Sequence, residues 1–519
     1  MNEYIAYIDA KGVTPLLLDK LVSETKTERN KRLLNYNRYK AELSAVPILT
    51  RKPTDYAQGN DHVVRVDDKV NNTLNNPLDA EIVDTKVGYM FGNPISYVVD
   101  KQAQGLDKLS EAIELFNLRN SVDDLDSESG KKTAICGYSA RLLYIDTDGN
   151  ERVTTIDPWE TIILSETADV SEPKYALRYF KSAELDAEGE KVEIEQLVFY
   201  DATTERLYTR SDTDSPFVLK DERKHLFDYC PLFGVPNNEE LQGDADKVYN
   251  LIDAYDRTLS DASNEIEQFR LAYLVLKGMG MDEEDAKNVA RTGIFELMGE
   301  NDDIKYLTKD VNDQMIENHL DRLEENIMRL AKSVNFSDES FAGNASGVAM
   351  KYKLMALENK CKTMERKFTT ALRYQFKVLC TAWAKKGICS KDDYLKVWYE
   401  YKRNIPIDLL SEAQASQALK GLVSERTRLS KLSIVDDVEY ELEEMQKDAQ
   451  LFGNELEPLD DFKDQEMDDI FPKKKEEKNT SLSSKKMCEE CGGTGEVTST
   501  KTGKQIVCKK CGGSGEVSR

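Results

Sequence analysis

Two stretches of the chain place apolar residues at spacings that alternate between four and three. The first contains Val248, Ile252, Tyr255, Leu259, Ala262, Ile266, Phe269, Tyr273 and Leu276, and the second contains Ile316, Leu320, Leu323, Ile327, Leu330 and Val334. An average period of 3.5 residues is typical of helices that pack lengthwise against one another. It predicts a helix over residues 245–276, about 48 Å long at 1.5 Å per residue, and a second helix over 311–335. Periodicity alone also fits an ordinary antiparallel coiled coil inside a globular protein.

A third long helix is predicted over residues 348–385, a stretch that contains no proline. Its apolar residues are spaced to form one buried face. They are Leu357, Cys361, Met364, Phe368 and Ala371.

The residues just before this helix have the composition of a loop. Within residues 335–347, Asn344 or Ser346 could cap the first turn of the helix. Lys351 and Lys353 follow close to the helix start, where the macrodipole slightly disfavours cations. These lysines are therefore either solvated or in contact with an anion.

The first 240 residues mix short strand and helix signals and predict an α+β domain. Alternating residues 141–145 and 152–156 flank Asp148-Gly149-Asn150, which is the pattern of a β-hairpin. Turn residues on both sides delimit a helix over 78–90. Much later in the chain, residues 394–401 resemble a strand, and the region after Pro406 returns to helix.

Charge and length restrict the class of protein. The chain has 519 residues and a formal net charge of −25, and residues 436–470 carry 15 acidic residues against 2 lysines, or −13. Because DNA affinity comes largely from Lys and Arg, any contact with duplex DNA is expected to be weak. No apolar run is long enough to span a bilayer, and the first residues do not resemble a secretory signal. The expected compartment is the cytoplasm, where scattered cysteines stay reduced.

Residues for catalysis are sparse. The three histidines, His62, His225 and His319, are far apart in sequence, and neither a phosphate-binding loop nor a dinucleotide fingerprint is present. We therefore expect a protein that is not an enzyme. A metal-dependent nuclease remains the minor alternative, because carboxylate sites need not be local in sequence.

Four cysteines near the end of the chain form its most specific motif. Cys488 and Cys491 are followed, after sixteen residues, by Cys508 and Cys511, and each pair precedes Gly-Gly-x-Gly. Two Cys-x2-Cys turns at this spacing predict one structural zinc ion with four thiolate ligands. A redox pair is the alternative, but no thioredoxin-like context surrounds it. The doubled Cys-x-x-Cys-x-Gly-x-Gly resembles the zinc-binding repeats of J-domain co-chaperones, which carry four copies where this chain has two.

Several short motifs between residues 30 and 450 resemble the portal proteins of siphovirus-type tailed double-stranded DNA phages. Each is weak alone, and their order and spacing carry the resemblance. They are Asn76-Pro77-Leu78, Gly88-Tyr89-Met90-Phe91-Gly92-Asn93-Pro94, Asp157-Pro158-Trp159-Glu160, Gly234-Val235-Pro236-Asn237-Asn238-Glu239, Leu251-Ile252-Asp253-Ala254-Tyr255, Ser260, Asn264-Glu265, residues 343–354 and Asn404-Ile405-Pro406.

The resemblance implies a predominantly helical α+β portal fold and a division of the chain into parts. These are an α+β wing (1–240), stem helix 1 (241–276), a clip (277–310), stem helix 2 (311–335), a tunnel loop and tunnel helix (336–385), a wing return strand (386–408), a helical crown (409–450), a flexible linker (451–486) and the zinc module (487–519). The zinc module departs from the family pattern, so the resemblance assigns it no role.

The resemblance also implies the function and the partners. It implies a ring of usually twelve subunits at one capsid vertex of the virion, assembled in the host cytoplasm, through which double-stranded DNA enters and leaves. Terminase, a head-completion adaptor, scaffold and the major capsid protein would be its partners. The expected DNA-channel residues are Gly343, Asn344, Ser346, Lys351 and Lys353. The alternative is a zinc-bearing chaperone or scaffolding factor in which the helices mediate dimerisation.

Overall fold

The structure, a computed structural model, divides into two units, Met1–Pro406 and Ile407–Arg519. No helix among the described residues is both long and apolar enough to cross a lipid bilayer. The described residues are 2–52, 71–99, 106–167, 169–185, 189–211, 215–269, 273–277, 284, 303–307, 313–335, 347–405, 409–432, 434–435, 438–451, 485–491, 494, 496–498, 505–511, 514 and 516–518.

Helices dominate both ends of the first unit and the start of the second. In chain order they are α1 (Asn2–Lys11), α2 (Pro15–Glu24), α3 (Lys26–Tyr39), α4 (Leu78–Phe91), α5 (Asp107–Asn120), α6 (Val122–Cys136), α7 (Tyr249–Phe269), α8 (Asp313–Ala331), α9 (Gly347–Lys385), α10 (Leu409–Leu419), α11 (Glu425–Leu429) and α12 (Val438–Leu451). Short 3-10 turns cover Pro47–Thr50, Pro158–Glu160 and Asp393–Lys396.

The strands group in the middle of the first unit and in the cysteine module. They are β1 (Ser96–Val99), β2 (Tyr138–Ile145), β3 (Glu151–Ile156), β4 (Thr161–Leu164), β5 (Tyr175–Leu185), β6 (Lys191–Tyr200), β7 (Thr204–Arg210), β8 (Val218–Lys224), β9 (Leu232–Pro236), β10 (Tyr273–Lys277), β11 (Asp303–Leu307), β12 (Val397–Glu400), β13 (Lys485–Met487), β14 (Glu496–Thr498), β15 (Gln505–Val507) and β16 (Glu516–Ser518).

Two antiparallel sheets form the α+β part. One has the order β3-β2-β9, and the other runs β4-β5-β6-β7-β8. The predicted hairpin is confirmed, with Ala140 opposite Ile156 and Ile145 opposite Glu151. The predicted strand near residue 400 is shorter than expected, since a 3-10 turn precedes β12, and β12 pairs with β1.

The long helix α9 crosses the largest buried cluster of the first unit. Its side chains pack with residues of α4, α5, β9 and β12, and Trp383 meets Phe116 edge to face at 6.2 Å between ring centroids. All five residues of the predicted apolar face are at most 1% exposed. The third predicted helix is therefore confirmed, and it anchors the fold around it.

The two heptad stretches form antiparallel helices, but the first helix is shorter than predicted. Val248 and Ile252 at the start of α7 share a buried cluster with Ile327 and Ala331 at the end of α8. The apolar residues of α7 are not all buried, because Ile266 is 68% exposed in the single chain.

The prediction of helix through Leu276 is wrong. Helix α7 has 21 residues, about 32 Å at 1.5 Å per residue, and residues 273–277 form β10, which pairs antiparallel with β11. The run Tyr-Leu-Val-Leu is rich in residues that favour strands, and its 3-4 spacing did not distinguish helix from strand. Residues 278–302, apart from Glu284, lie outside the described part of the predicted clip.

The second unit contains helices α10, α11 and α12 followed by the cysteine module. The helices agree with the helical segment predicted over 409–450. Ser424 caps α11 by accepting a hydrogen bond from the backbone N–H of Thr427. The predicted linker lies outside the described residues between 452 and 484.

Candidate metal centre and the long helix

The cysteine module consists of two similar halves whose strands pair crosswise. The first half contributes β13 and β14 around its Cys-x2-Cys turn, and the second contributes β15 and β16. Strand β13 pairs with β16, and β14 pairs with β15, both antiparallel. The pairing brings the two turns to a common centre.

The four predicted cysteines meet at that centre. Their Sγ atoms all lie within 4.8 Å of one another. The Sγ atoms of Cys488 and Cys508 are 3.9 Å apart, and those of Cys491 and Cys511 are 3.6 Å apart, so the thiols are free. A tetrahedral ion with sulfur ligands at 2.3 Å requires about 3.8 Å between sulfurs. The group is thus able to hold one metal ion.

The loops after the two turns repeat the same hydrogen bonds. The hydroxyls of Thr494 and Ser514 each donate to the carbonyl of the preceding cysteine, Cys491 or Cys511, at 2.7 Å. The corresponding backbone N–H groups donate to the same carbonyls at 3.2 Å. The two halves therefore repeat in structure as well as in sequence.

The predicted channel residues are only partly described. Gly343, Asn344 and Ser346 lie outside the described residues, as does the predicted capping of α9 by Asn344 or Ser346. Lys351 lies on the second turn of α9, but its side chain is outside the described set. Lys353 follows on the same helix and is half-buried.

Arg403, which follows β12, binds two glutamates in the first half of α9. Arg403 donates from Nε to Oε2 of Glu358 at 2.8 Å and from Nη2 to Glu365 at 2.6 Å. Tyr89 of α4 also donates to Glu358, at 2.9 Å. Burial raises the pKa of Glu358, but the hydrogen bonds from Arg403 outweigh it and hold that pKa below its ordinary value.

A fully buried arginine joins the sheet to the second half of α9. Arg141 of β2 donates to Asp126 at 2.7 Å and to Gln375 of α9 at 3.1 Å. Its guanidinium also lies 5.1 Å from the centre of the Phe368 ring. Sequence reasoning treated Arg141 only as a hairpin residue, because charge ordinarily indicates a surface position.

A second buried charge cluster joins α4, α8 and α9. The Lys86 ammonium lies 3.0 Å from Oδ2 of Asp244, and Lys360 lies 3.2 Å from Oδ1. Lys360 also donates to the carbonyl of Ala331, the last residue of α8, at 2.7 Å. Burial raises the pKa of Asp244, but the two ammonium groups outweigh that effect and hold it below its ordinary value. Sequence reasoning missed this cluster too, because its members are far apart in the chain.

Comparison with known proteins identifies the family. The model of the family described as "Phage portal protein, SPP1 Gp6-like" matches residues 18–451. The chain belongs to this family of phage portal proteins. It is 23% identical to the portal protein of Bacillus phage SPP1 over 419 residues, which cover 78% of this chain and 82% of that protein. It is 22% identical to the portal protein of Clostridium phage phiCD119 over 387 residues, covering 71% and 83%.

Membership in this family gives the chain a structural role. A portal protein is a structural component of the virion and a subunit of the capsid-associated ring used in DNA packaging. Two of the motifs that carried the resemblance, at residues 88–94 and 404–406, lie next to each other. The side-chain amide of Asn93 donates to the carbonyl of Arg403 at 3.2 Å, and the backbone N–H of Asn404 donates to the carbonyl of Tyr89. The cysteine module follows the matched residues.

Proposed function

We propose that the chain forms a closed ring of twelve subunits at one capsid vertex and that double-stranded DNA passes through the ring in both directions. The family match over residues 18–451 carries this proposal. The stem helices support it, because Ile266 of α7 and Leu330 of α8 are 68% and 50% exposed in the single chain and would be covered by neighbouring subunits.

The channel is lined near the start of α9. Residues Gly343, Asn344, Ser346, Lys351 and Lys353 face the lumen, and the first of these precede the helix. The contacts of Arg403, Arg141 and Asp244 hold α9 from Glu358 onward. The turns before Glu358 are therefore the part of the helix that contacts DNA. Contact is weak and independent of sequence, since the chain has a formal net charge of −25 and affinity for duplex DNA comes largely from Lys and Arg.

The remaining partners contact other parts of the chain. The clip around β10 and β11 binds the terminase and later the head-completion adaptor, and scaffold and major capsid protein surround the assembled ring. Assembly takes place in the host cytoplasm. Energy for packaging comes from the terminase, so the subunit itself has no catalytic role.

The ion at the four cysteines is zinc. Four thiolates leave no position for water, which makes the ion structural. The sulfur separations of 3.6 and 3.9 Å support a tetrahedral ion.

Two measurements test the proposal. Light scattering and electron micrographs of the purified protein should show rings many times heavier than the 59.0 kDa chain, with a central channel. Solid particles or dimers at every concentration would contradict the ring. In a reconstituted packaging assay, alanine at Lys351 and Lys353 should change the packaging rate, while alanine at the exposed Lys247 should not; an unchanged rate removes the assignment of these lysines to the lumen.

A further inference from the structure

The two halves of the cysteine module differ by one reversal of charge. Residues 488–498 and 508–518 align with a shift of twenty positions, and both cysteines, all three glycines, the glutamate and the valine repeat. Thr494 and Thr498 are replaced by serine. The remaining difference is that Glu489-Glu490 in the first turn becomes Lys509-Lys510 in the second.

Neither the metal nor the fold requires this reversal. The four side chains between the cysteines are exposed, whereas Cys488 and Cys508 are fully buried. The strand pairs and the hydroxyl bonds of Thr494 and Ser514 are the same in both halves. A net −2 on one turn and +2 on the other therefore distinguishes two surfaces that are otherwise equivalent.

Tetrahedral binding of one ion by the four cysteines would place the two turns on opposite sides of that ion. Each Cys-x2-Cys turn supplies two of four tetrahedral ligands, and two ligand pairs in a tetrahedron occupy opposite edges. Within the described part of the module, no ion pair joins Glu489 or Glu490 to Lys509 or Lys510. The acidic and basic side chains of these two turns are therefore not paired with each other in the single chain.

We propose that the cysteine modules of neighbouring subunits bind head to tail, the Glu489-Glu490 turn of one copy against the Lys509-Lys510 turn of the next. Opposite charges on opposite faces are what a heterologous contact between identical copies requires, and repetition of that contact around a ring closes it. This inference rests on the proposed ring. A pair of exposed ion pairs is weak alone, but the ring holds the modules at high effective concentration.

Zero-length carbodiimide cross-linking of the intact full-length ring tests the contact. The reagent joins carboxylates to amines that touch, so the wild type should yield chain dimers in which residue 489 or 490 is linked to 509 or 510, identified by mass spectrometry. Raising the salt concentration should lower the yield, because exposed charges are screened. Absence of this link from intact rings, or its presence only within single chains, overturns the inference.

Charge-reversal variants provide the matched controls. Glu489→Lys/Glu490→Lys leaves only amines on the two turns and Lys509→Glu/Lys510→Glu leaves only carboxylates, so neither variant can form this link and both serve as chemical blanks. The fourfold variant that combines them inverts the polarity of every copy and should restore the link. If the fourfold variant stays as low as the doubles, or the wild-type yield does not fall as the salt concentration rises, head-to-tail binding is wrong.

Two further measurements on the same samples distinguish failure of the module contact from failure of ring assembly. Metal content near one ion per chain shows that each variant module is folded. Light scattering reports the ring itself, so a chain that never forms rings contradicts the proposed function, whereas rings without the specific link contradict only the module contact.

Discussion

The backbone N–H of Asn76 donates to Oδ1 of Asp256 at 2.8 Å, although 180 positions separate the two residues in the chain. It is one of three such bonds. Leu74 donates to Oγ of Ser260 at 2.9 Å, and Asn72 donates to Oδ1 of Asn264 at 2.7 Å. Alternate residues of an extended segment are about 6.6 Å apart. Residues at every fourth position of a helix are about 6 Å apart, so the N–H groups of residues 72, 74 and 76 match the side chains at every fourth position of α7. We call residues 72–76 the strap.

Removing the central hydroxyl should open the strap. Ser260 is fully buried, and its hydroxyl also donates to the carbonyl of Leu74 at 3.4 Å. Ser260→Ala leaves the half-buried N–H of Leu74 without this partner, which costs about 1 kcal/mol and at most about 3 kcal/mol. Amide hydrogen exchange at Leu74 should accelerate by about 5- to 150-fold. The matched control is Arg257→Ala on the exposed side of the same helix, and equal exchange in the two variants would contradict the prediction.

The carboxyl of Asp256 should make stability depend on pH. Burial, together with nearby Asp253 and Asp79, raises its pKa to about 6 despite Arg38 and the bond from Asn76. A raised carboxyl pKa means that the folded state favours the protonated form, so stability falls as pH rises toward 6 and is level above about 7. Asp256→Asn keeps an acceptor for Asn76 and carries no charge.

The variant should therefore gain thermal stability over the wild type as pH rises from 5 to 7, by about 1 kcal/mol, with no further change to pH 8. Thermal midpoints of both proteins across this range measure the difference. A difference that is independent of pH would show that Asp256 titrates near its ordinary pKa.

Breaking the buried lysine cluster should be costly. Lys86→Met leaves Asp244, which is 5% exposed, with one fewer cation, and loss of one partner from a buried pair typically costs about 3–5 kcal/mol. We expect a lower yield of soluble protein and a lower thermal midpoint. Lys86→Met combined with Asp244→Leu should recover part of the loss, while the exposed Lys247→Met should match the wild type. A double variant as unstable as the single would contradict the charge explanation.

Gly88 of α4 and Gly92, which caps the end of α4, should respond in opposite directions to alanine. A Cβ at Gly92 would lie 2.3 Å from Nδ2 and 2.7 Å from Cβ of Asn404, so Gly92→Ala forces the two motifs apart and should cost about 1–3 kcal/mol. A Cβ at Gly88 meets nothing within 4 Å, and Gly88→Ala should stabilise the helix by about 0.5–1 kcal/mol. Thermal midpoints that move in the same direction would refute this contrast.

Metal removal should affect only the cysteine module. Purified protein should contain one zinc per chain, and a strong chelator should unfold residues 487–519, because a four-thiolate site contributes directly to folding. Hydrogen exchange should rise in β13 to β16 and stay unchanged in α9. Cys488→Ser should reproduce the effect without chelator, and zinc well below one equivalent in the wild type would rule out the ion.

Local patterns predicted much of the fold. The apolar face of α9, the β2–β3 hairpin and the four cysteines depend on residues close in sequence, so periodicity and spacing were sufficient. The helix-to-strand change at Tyr273 was missed because an unbroken apolar run satisfies both periods.

The contacts that position α9 and the strap were not predictable in the same way. Arg141, Lys86 and Asp244 are charged residues that become buried only because partners come from distant elements. The strap depends on backbone N–H groups, which every residue except proline carries, so no residue type indicates it.

The Nζ atom of Lys360 on α9 contacts the end of α8 directly and α4 through Asp244. Its ammonium binds Asp244 and the end of α8 at once, and Asp244 in turn binds Lys86 of α4. Sliding one of these helices past the others by more than the length of a hydrogen bond would leave a buried charge without its partner. A displacement of α9 would therefore shift α4 and α8 with it.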